Sequence, residues 1–221
     1  MSDVPFIVPA CTEDYQLLHQ DTDLLVVNKP PGLLSVPGRL AENQDCLITR
    51  VQQDFNDALI VHRLDMATSG LMVLARGKDN HRGLSKLFQQ RQVEKEYQAT
   101  VYGNLMADHG LVDLPLACDW PNRPRQHVNF DYGKPSQTWY EKQRLTADGH
   151  TQLLLKPITG RSHQLRVHMA SLGHPILGCE FYAHSHAKQL SPRLLLHASR
   201  LRFRHPQTQE WLNVSSSADF I

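Results

Sequence analysis

Nothing in the sequence approaches the roughly 18 consecutive apolar residues that a membrane-spanning helix needs, so no such helix is expected. Cysteine is scarce. Cys11, Cys46, Cys118 and Cys179 are widely spaced and form no CxxC pair, which argues against a zinc knuckle and fits reduced thiols. The first residues carry neither a basic segment nor a long apolar one, so a secretory leader is not expected and a cytoplasmic location is. Internal repeats and low-complexity linkers are also missing. Net charge is only +1, which taken alone argues against a nucleic-acid partner.

That small total hides an asymmetry. Residues 1–60 hold 3 Lys/Arg against 9 Asp/Glu, whereas residues 61–221 hold 20 against 13. The basic excess of the second part could be an RNA-facing surface or an unevenly charged solvated one. At 221 residues, 41% hydrophobic and 20% charged, the chain suits one folded catalytic domain. We expect that domain over 13–221, behind a loose, proline-containing arm at 1–12.

Hydrophobic spacing outlines the elements. Leu24 to Val27 reads as a buried strand, stopped by the turn Lys29-Pro30-Pro31-Gly32. Residues 33–45 read as an irregular loop, and Asp45 to Phe55 has weak helical spacing. Leu59 to Val61 and Leu71 to Leu74 are short strands. Leu84, Leu87 and Phe88 place a helix over Lys78 to Gln92. Val93 to Tyr102 alternates as a strand with Val93, Lys95, Tyr97, Ala99 and Val101 on one face.

Thr138 to Leu145 and Gln152 to Leu155 form a hairpin through Asp148-Gly149. Ser162 to Leu172 is a short helix capped by Ser162 and ended by Gly173. Arg193 to Ala198, Leu201 to Phe203 and Trp211 to Val214 are late strands. Strands in runs with few helices predict an α+β fold with a mixed, mostly antiparallel sheet.

Two motifs carry chemistry. His62-Arg63-Leu64-Asp65-Met66-Ala67-Thr68-Ser69-Gly70 sets one carboxylate on a loop between strands. Far downstream lies the basic run Gly160-Arg161-Ser162-His163-Gln164-Leu165-Arg166-Val167-His168-Met169. Asp65 could be a turn residue, and the basic run a solvated helix face. In the functional alternative an arginine pairs with Asp65, keeping it ionised, while another meets phosphate. Tyr97 could be a packing residue, or a phenol that stacks on a flipped base and moves a proton. His184 and His186 near Cys179 lack a second ligand pair, so no metal is expected.

Together these motifs resemble the H-R-L-D-x-x-T-S-G, K-x-Y and G-R-x-H-Q-L-R-x-H-M signatures of the RluA family of pseudouridine synthases, with Lys95-Glu96-Tyr97 as the second. Arg193-Leu194-Leu195-Leu196-His197-Ala198 resembles the family's R-L-x-L-H-A segment. One departure is Cys179, where the family commonly has Asp after Leu-Gly.

The resemblance implies cofactor-free isomerisation of uridine in ribosomal and transfer RNA stem-loops by a pseudouridine synthase fold, with a catalytic cleft across the sheet. It further implies a monomer. Asp65 would be the nucleophile, attacking ribose or base, with Tyr97 and Arg166 beside it, Arg166 forming the ion pair. Arg63 would fill the stack vacated by the flipped nucleotide. Arg161 and Lys156 would contact phosphate or support the site, Leu195 would pack beneath it, and His62, Thr68 and His163 would line it. A catalytically silent RNA-binding module or a one-carboxylate hydrolase would be the alternatives. The complete Asp, Tyr and Arg set argues against the first, and the absence of a second carboxylate in the Asp65 motif against the other.

Overall fold

Alternating apolar residues build most of this molecule. The computed structural model describes residues 6–221. The strands are β1 (Gln16–Gln20), β2 (Leu24–Lys29), β3 (Ala58–Ile60), β4 (Ser69–Arg76), β5 (Glu94–Val101) and β6 (His109–Asp113). They continue with β7 (Leu116–Cys118), β8 (Gln126–Val128), β9 (Gln137–Leu145), β10 (Thr151–Pro157), β11 (Leu196–Arg204) and β12 (Trp211–Ser215). The helices are α1 (Leu47–Asp54), α2 (Gly77–Gln89), α3 (Gln164–Ser171) and α4 (Ser185–Gln189).

One large sheet runs in the order β1-β2-β4-β11-β5-β10-β9-β6, with β12 on β11 and β3 on β4. Only β4 and β11 pair in parallel among its described pairings. This is the mixed, mostly antiparallel α+β architecture that the strand runs predict. A separate hairpin, β7–β8, projects from it.

Register decides what the sheet presents. Lys29 pairs with Gly70, Gly70 with Ala198, Ala198 with Tyr97, and Tyr97 with Leu155. Laterally paired residues share a face, so these five form one row on the front of the sheet. Glycine is required within it: at Gly70 φ is +113°, and a Cβ would lie 2.3 Å from the Ala198 carbonyl oxygen.

Front and back carry different helices. On the front, Leu47, Ile48 and Val51 of α1 pack with Leu25, Val27, Met72 and Leu74. Leu165 and Met169 of α3 pack there with Ala99, Val101, Leu153 and Leu155. Tyr97 packs against both clusters and so lies between the two helices. On the back, Leu84, Leu87 and Phe88 of α2 cover Leu71, Val73, Ala75 and Phe203.

Several expectations need correction. Arg193 to Ala198 and Leu201 to Phe203 are not two strands, because β11 runs on through an irregularity between Ala198 and Arg200. Val93 precedes β5 and joins the back cluster, apart from Ala99 and Val101. Ser162 does not cap α3. The N-cap is His163, at φ +55°, with no side-chain cap bond, and Gln164 instead fastens the turn that precedes the helix. Its side-chain oxygen accepts from the Arg161 amide (3.1 Å) and the Thr159 hydroxyl (2.7 Å). Its nitrogen donates to the Gln137 carbonyl (2.9 Å) and the Thr138 hydroxyl (3.0 Å). Gly173 does end the helix, at φ +82°.

Of the expected arm at 1–12, residues 1–5 lie outside the described residues. From Phe6 the chain has no regular structure until β1 but is tied to the front. Val8 N–H donates to Asn43, Asn43 donates to the Phe6 carbonyl, and Arg50 donates to the Cys11 carbonyl.

Burial holds several imidazoles neutral. It pushes His62 down to about 3 and lowers His163, His168 and His197 from their ordinary value. An unfolded chain protonates these rings below about pH 6.5 while the folded one does not. Stability from this source is therefore complete above pH 6.5 and lost progressively as pH falls through and below it. Thermal unfolding followed from pH 8 to pH 4.5 should show a midpoint that is level at first and then declines. A level profile throughout would mean that these rings are not held neutral.

Candidate active site

The site begins at the loop before β4. The Thr68 amide donates to the Asp65 carbonyl (3.1 Å), closing a turn that projects the Asp65 side chain. Under this loop lies Lys29, fully buried, which the sequence motifs did not single out. Its ammonium donates to the carbonyls of Pro30 and Leu33 (2.8 Å each) and of Met66 (3.2 Å). Burial pushes it down to about 7, with Cys11 and Asp65 acting in the opposite direction. The available signal was its position: Leu25, Val27 and Lys29 are alternate residues, so Lys29 points inward with the first two.

Lys29→Met should leave these buried carbonyls short of a donor and cost about 2–4 kcal/mol of stability. Denaturant unfolding checks this. A loss below the resolution of the method would remove Lys29 as the anchor of the loop.

Asp65 and Arg166 are 101 positions apart in sequence, and α3 brings them together. Arg166 Nη1 approaches Asp65 Oδ2 at 3.4 Å, and His163 Nε2 approaches the same oxygen at 3.7 Å. Among the described residues Oδ1 has no hydrogen-bond partner, and the side chain is 28% exposed. One carboxylate oxygen is therefore held while the other is offered to a ligand.

Arg166 is only 3% exposed. Its Nε donates to Cys179 Sγ (3.4 Å), and its guanidinium lies 5.2 and 5.4 Å from the Phe181 and Tyr182 ring centroids. Burial opposes its charge, but Cys179 and Asp65 outweigh that and raise it above its ordinary value. Cys179 stands where a carboxylate is usual for the motif, so Asp65 is the only carboxylate paired with Arg166 among the described residues. α3 is accordingly not the solvated basic face that its charges allowed, since Gln164 to Met169 are all buried.

Tyr97 is partly buried beside this pair. Burial first, then the Asp65 charge, pushes its phenol well above the ordinary range, so it keeps its proton at neutral pH. Leu195, Ala67 and Tyr182 pack against the same cluster as Tyr97. Arg63 is exposed next to Asp65 and forms no ion pair among the described residues. Arg161 is exposed at the rim, its Nε donating to the Pro135 carbonyl (3.4 Å). Thr68 is buried at the turn, where its amide rather than an exposed hydroxyl does the work.

Two expected site residues are not brought to Asp65. His62 Nε2 accepts from the Val73 amide (3.0 Å), and its ring stacks on Phe88 at 4.3 Å, on the α2 side. Lys156 follows Leu155, the lateral partner of Tyr97, so alternation sends it to the back of the sheet. There it pairs with Glu96 at 3.5 Å. Strand pleating turns Lys156 away, whereas His62 lies in the bend after β3 and is held by the Val73 amide and the Phe88 ring.

Metal ligation finds little support in the residues present. His184 Nδ1 caps α4, accepting from the Ala187 amide (3.3 Å). Among the described residues Asp21, Asp23 and His205 bring three ligand atoms within 4.8 Å of one another. His205 Nδ1, however, accepts from the Gln207 and Thr208 amides (3.2 Å each), which leaves the ring proton on Nε2. That is the nitrogen facing Asp21 (3.3 Å), and a protonated nitrogen cannot ligate. No helix among the described residues is long and apolar enough to cross a membrane.

Comparison with known proteins gives the family. The family model for RNA pseudouridylate synthase matches residues 23–171. The chain is 54% identical over 204 residues to the dual-specificity RNA pseudouridine synthase RluA of Escherichia coli (strain K12), covering 92% of this chain and 93% of that protein. It is 51% identical to the protein of the same name from Pasteurella multocida (strain Pm70), covering 95% and 96%. Among solved structures, human RNA pseudouridylate synthase domain containing 1 superposes with a TM-score of 0.78 at 28% identity, covering 96% of this chain and 87% of that one.

Proposed function

This chain belongs to the RNA pseudouridylate synthase family and is an isomerase of uridine in RNA, and from that premise we propose that Asp65 is its nucleophile. The observation that carries the proposal is the Asp65 carboxylate, with one oxygen held by Arg166 and the other unpartnered among the described residues, beside a protonated tyrosine.

The reaction balances internally. The bond from ribose to N1 of the base breaks, a bond from ribose to C5 forms, C5 loses a proton and N1 gains one. No oxidant, reductant or water is consumed. What the protein must supply is a nucleophile that holds one fragment while the base turns, a surface for the base, and a path for the proton.

Asp65 fills the first role, its carboxylate oriented by Arg166. Tyr97, packed on the same cluster as Leu195, gives a flat apolar surface for the extruded base, and its hydroxyl can donate or relay the proton. Reaching the base means unstacking it, at a cost of a few kcal/mol. Arg63, exposed beside Asp65, is suited to occupy the gap left in the RNA stack. Arg161 and the basic residues 61–221 supply phosphate contacts, so affinity should fall as salt rises.

The relatives named as dual-specificity enzymes support a reading in which this chain acts on both ribosomal and transfer RNA stem-loops. In this reading 13–221 is one catalytic domain, working as a monomer in the cytoplasm. Mapping pseudouridine in total RNA from cells with and without the protein tests it. Sites lost in both RNA classes and restored by the wild-type chain are expected. Unchanged maps would overturn the assignment.

A further inference from the structure

The front of the site holds a chain of contacts that the nucleophile and its arginine do not require. Hairpin β7–β8 reaches the site at Tyr182, whose hydroxyl accepts from the backbone N–H of Gln126 (2.8 Å), and at Phe181, over which Arg125 lies at 5.7 Å. That hydroxyl lies 2.6 Å from His163 Nδ1. The other nitrogen of His163, Nε2, lies 3.7 Å from Asp65 Oδ2.

Proton accounting orients the chain. A phenol has one proton to give, and Tyr182 keeps it at neutral pH because burial, the largest influence, raises it to about 12. With the Gln126 amide donating to its oxygen, that proton has His163 Nδ1 as its acceptor. Nδ1 is then unprotonated, and the proton of the neutral ring sits on Nε2, directed at Asp65. Burial, opposed by Asp65 and reinforced by Arg166, keeps the ring below its ordinary value and hence neutral.

The backbone gives an independent observation. His163 has φ +55°, in the left-handed region that costs a non-glycine residue energy and that persists where the surroundings hold it. Its ring is clamped, stacked on Phe181 at 5.6 Å and set edge-on to Tyr182 at 5.6 Å. Strain is carried here to put an imidazole between a phenol and a carboxylate.

We propose that Tyr182 and His163 form a positioning relay that sets the orientation of Asp65 and links it to the β7–β8 hairpin. The 3.7 Å approach shortens to a hydrogen bond when substrate enters, so that Oδ2 is held by two donors and Oδ1 is aimed. The hairpin side bears exposed Trp120, with Arg123 stacked on it at 4.9 Å, a pairing suited to RNA. RNA settling on the hairpin would thus be felt at Asp65 through Gln126. The proposal rests on Asp65 as nucleophile.

Tyr182→Phe tests it, since only the hydroxyl is removed and the ring contacts stay. His163→Asn is the second variant, because asparagine tolerates a left-handed backbone and separates ring loss from backbone strain. Single-turnover rate, RNA affinity, melting temperature and the imidazole nitrogen spectrum of His163 are measured for each. We expect Tyr182→Phe and His163→Asn to slow turnover by about tenfold or more, with affinity changed less than about threefold. Melting temperature should stay near wild type. In the wild-type spectrum Nε2 should carry the proton, and in Tyr182→Phe the ring should become a tautomer mixture.

Wild-type turnover in both variants, or a wild-type ring protonated on Nδ1, would overturn the relay. Asp65→Asn assayed in parallel separates the two failures. If it is inactive while both relay variants turn over normally, only the relay falls. If it remains active, the nucleophile reading falls with it.

Discussion

Asp65→Asn should abolish pseudouridine formation, lowering single-turnover rate by at least about 10⁴-fold while RNA affinity stays within about an order of magnitude. The amide matches the carboxylate in shape and still offers an oxygen to Arg166, so the loop should hold its form. What it lacks is the negative charge and the nucleophilic lone pair on Oδ1, the oxygen without a partner among the described residues. Binding should survive because the substitution leaves untouched the phosphate contacts proposed for Arg161 and the basic surface. Asp65→Glu keeps the charge but moves it by one methylene, and should also be impaired, by about 100-fold. Turnover near wild type in Asp65→Asn would mean that another group attacks.

The second large effect is expected at Arg166. Arg166→Met should reduce turnover by about 100-fold or more without a fall in melting temperature. Methionine follows the volume of the arginine stem and can occupy the space among Leu165, Met169 and the Phe181 and Tyr182 rings. Replacing a buried ion by an apolar side chain of similar size is often neutral or stabilising, and Asp65, being partly exposed, can be solvated. Activity and stability should therefore separate. Arg166→Lys is not conservative, since an ammonium cannot reach Asp65 and Cys179 together or stack on both rings, and it too should be slow. A variant that melted early and lost activity in the same proportion would make Arg166 a packing residue.

The limits of sequence reading are visible at particular residues. Leu84, Leu87 and Phe88 announced α2 because helical period is local, and the Asp148-Gly149 turn announced the β9–β10 hairpin for the same reason. His62 and Lys156 were drawn to the site by neighbours in their motifs. Lys156 lies on a strand, which sends consecutive side chains to opposite faces, and His62 lies in a bend, its ring taken by the Val73 amide and Phe88, so closeness in sequence misled. Lys29 went unremarked because a lysine at a strand end usually reaches solvent. Only the packing of Leu33 and the Asp65 loop over β2 shows that it cannot. Tyr182 had no motif signal, and its role exists only where Gln126 and His163 converge on its oxygen.

From the residues alone came the family, the chemistry it carries, and the run of strands with few helices, because these depend on local pattern and on side-chain type. Which groups meet was settled by the fold. Asp65 and Arg166 come together because β4 and β11 pair in parallel at Gly70 and Ala198, setting Tyr97 in the same row and α3 on the same face. Such register is a long-range choice made by packing, and a slip of one residue would turn every side chain of the strand to the other side.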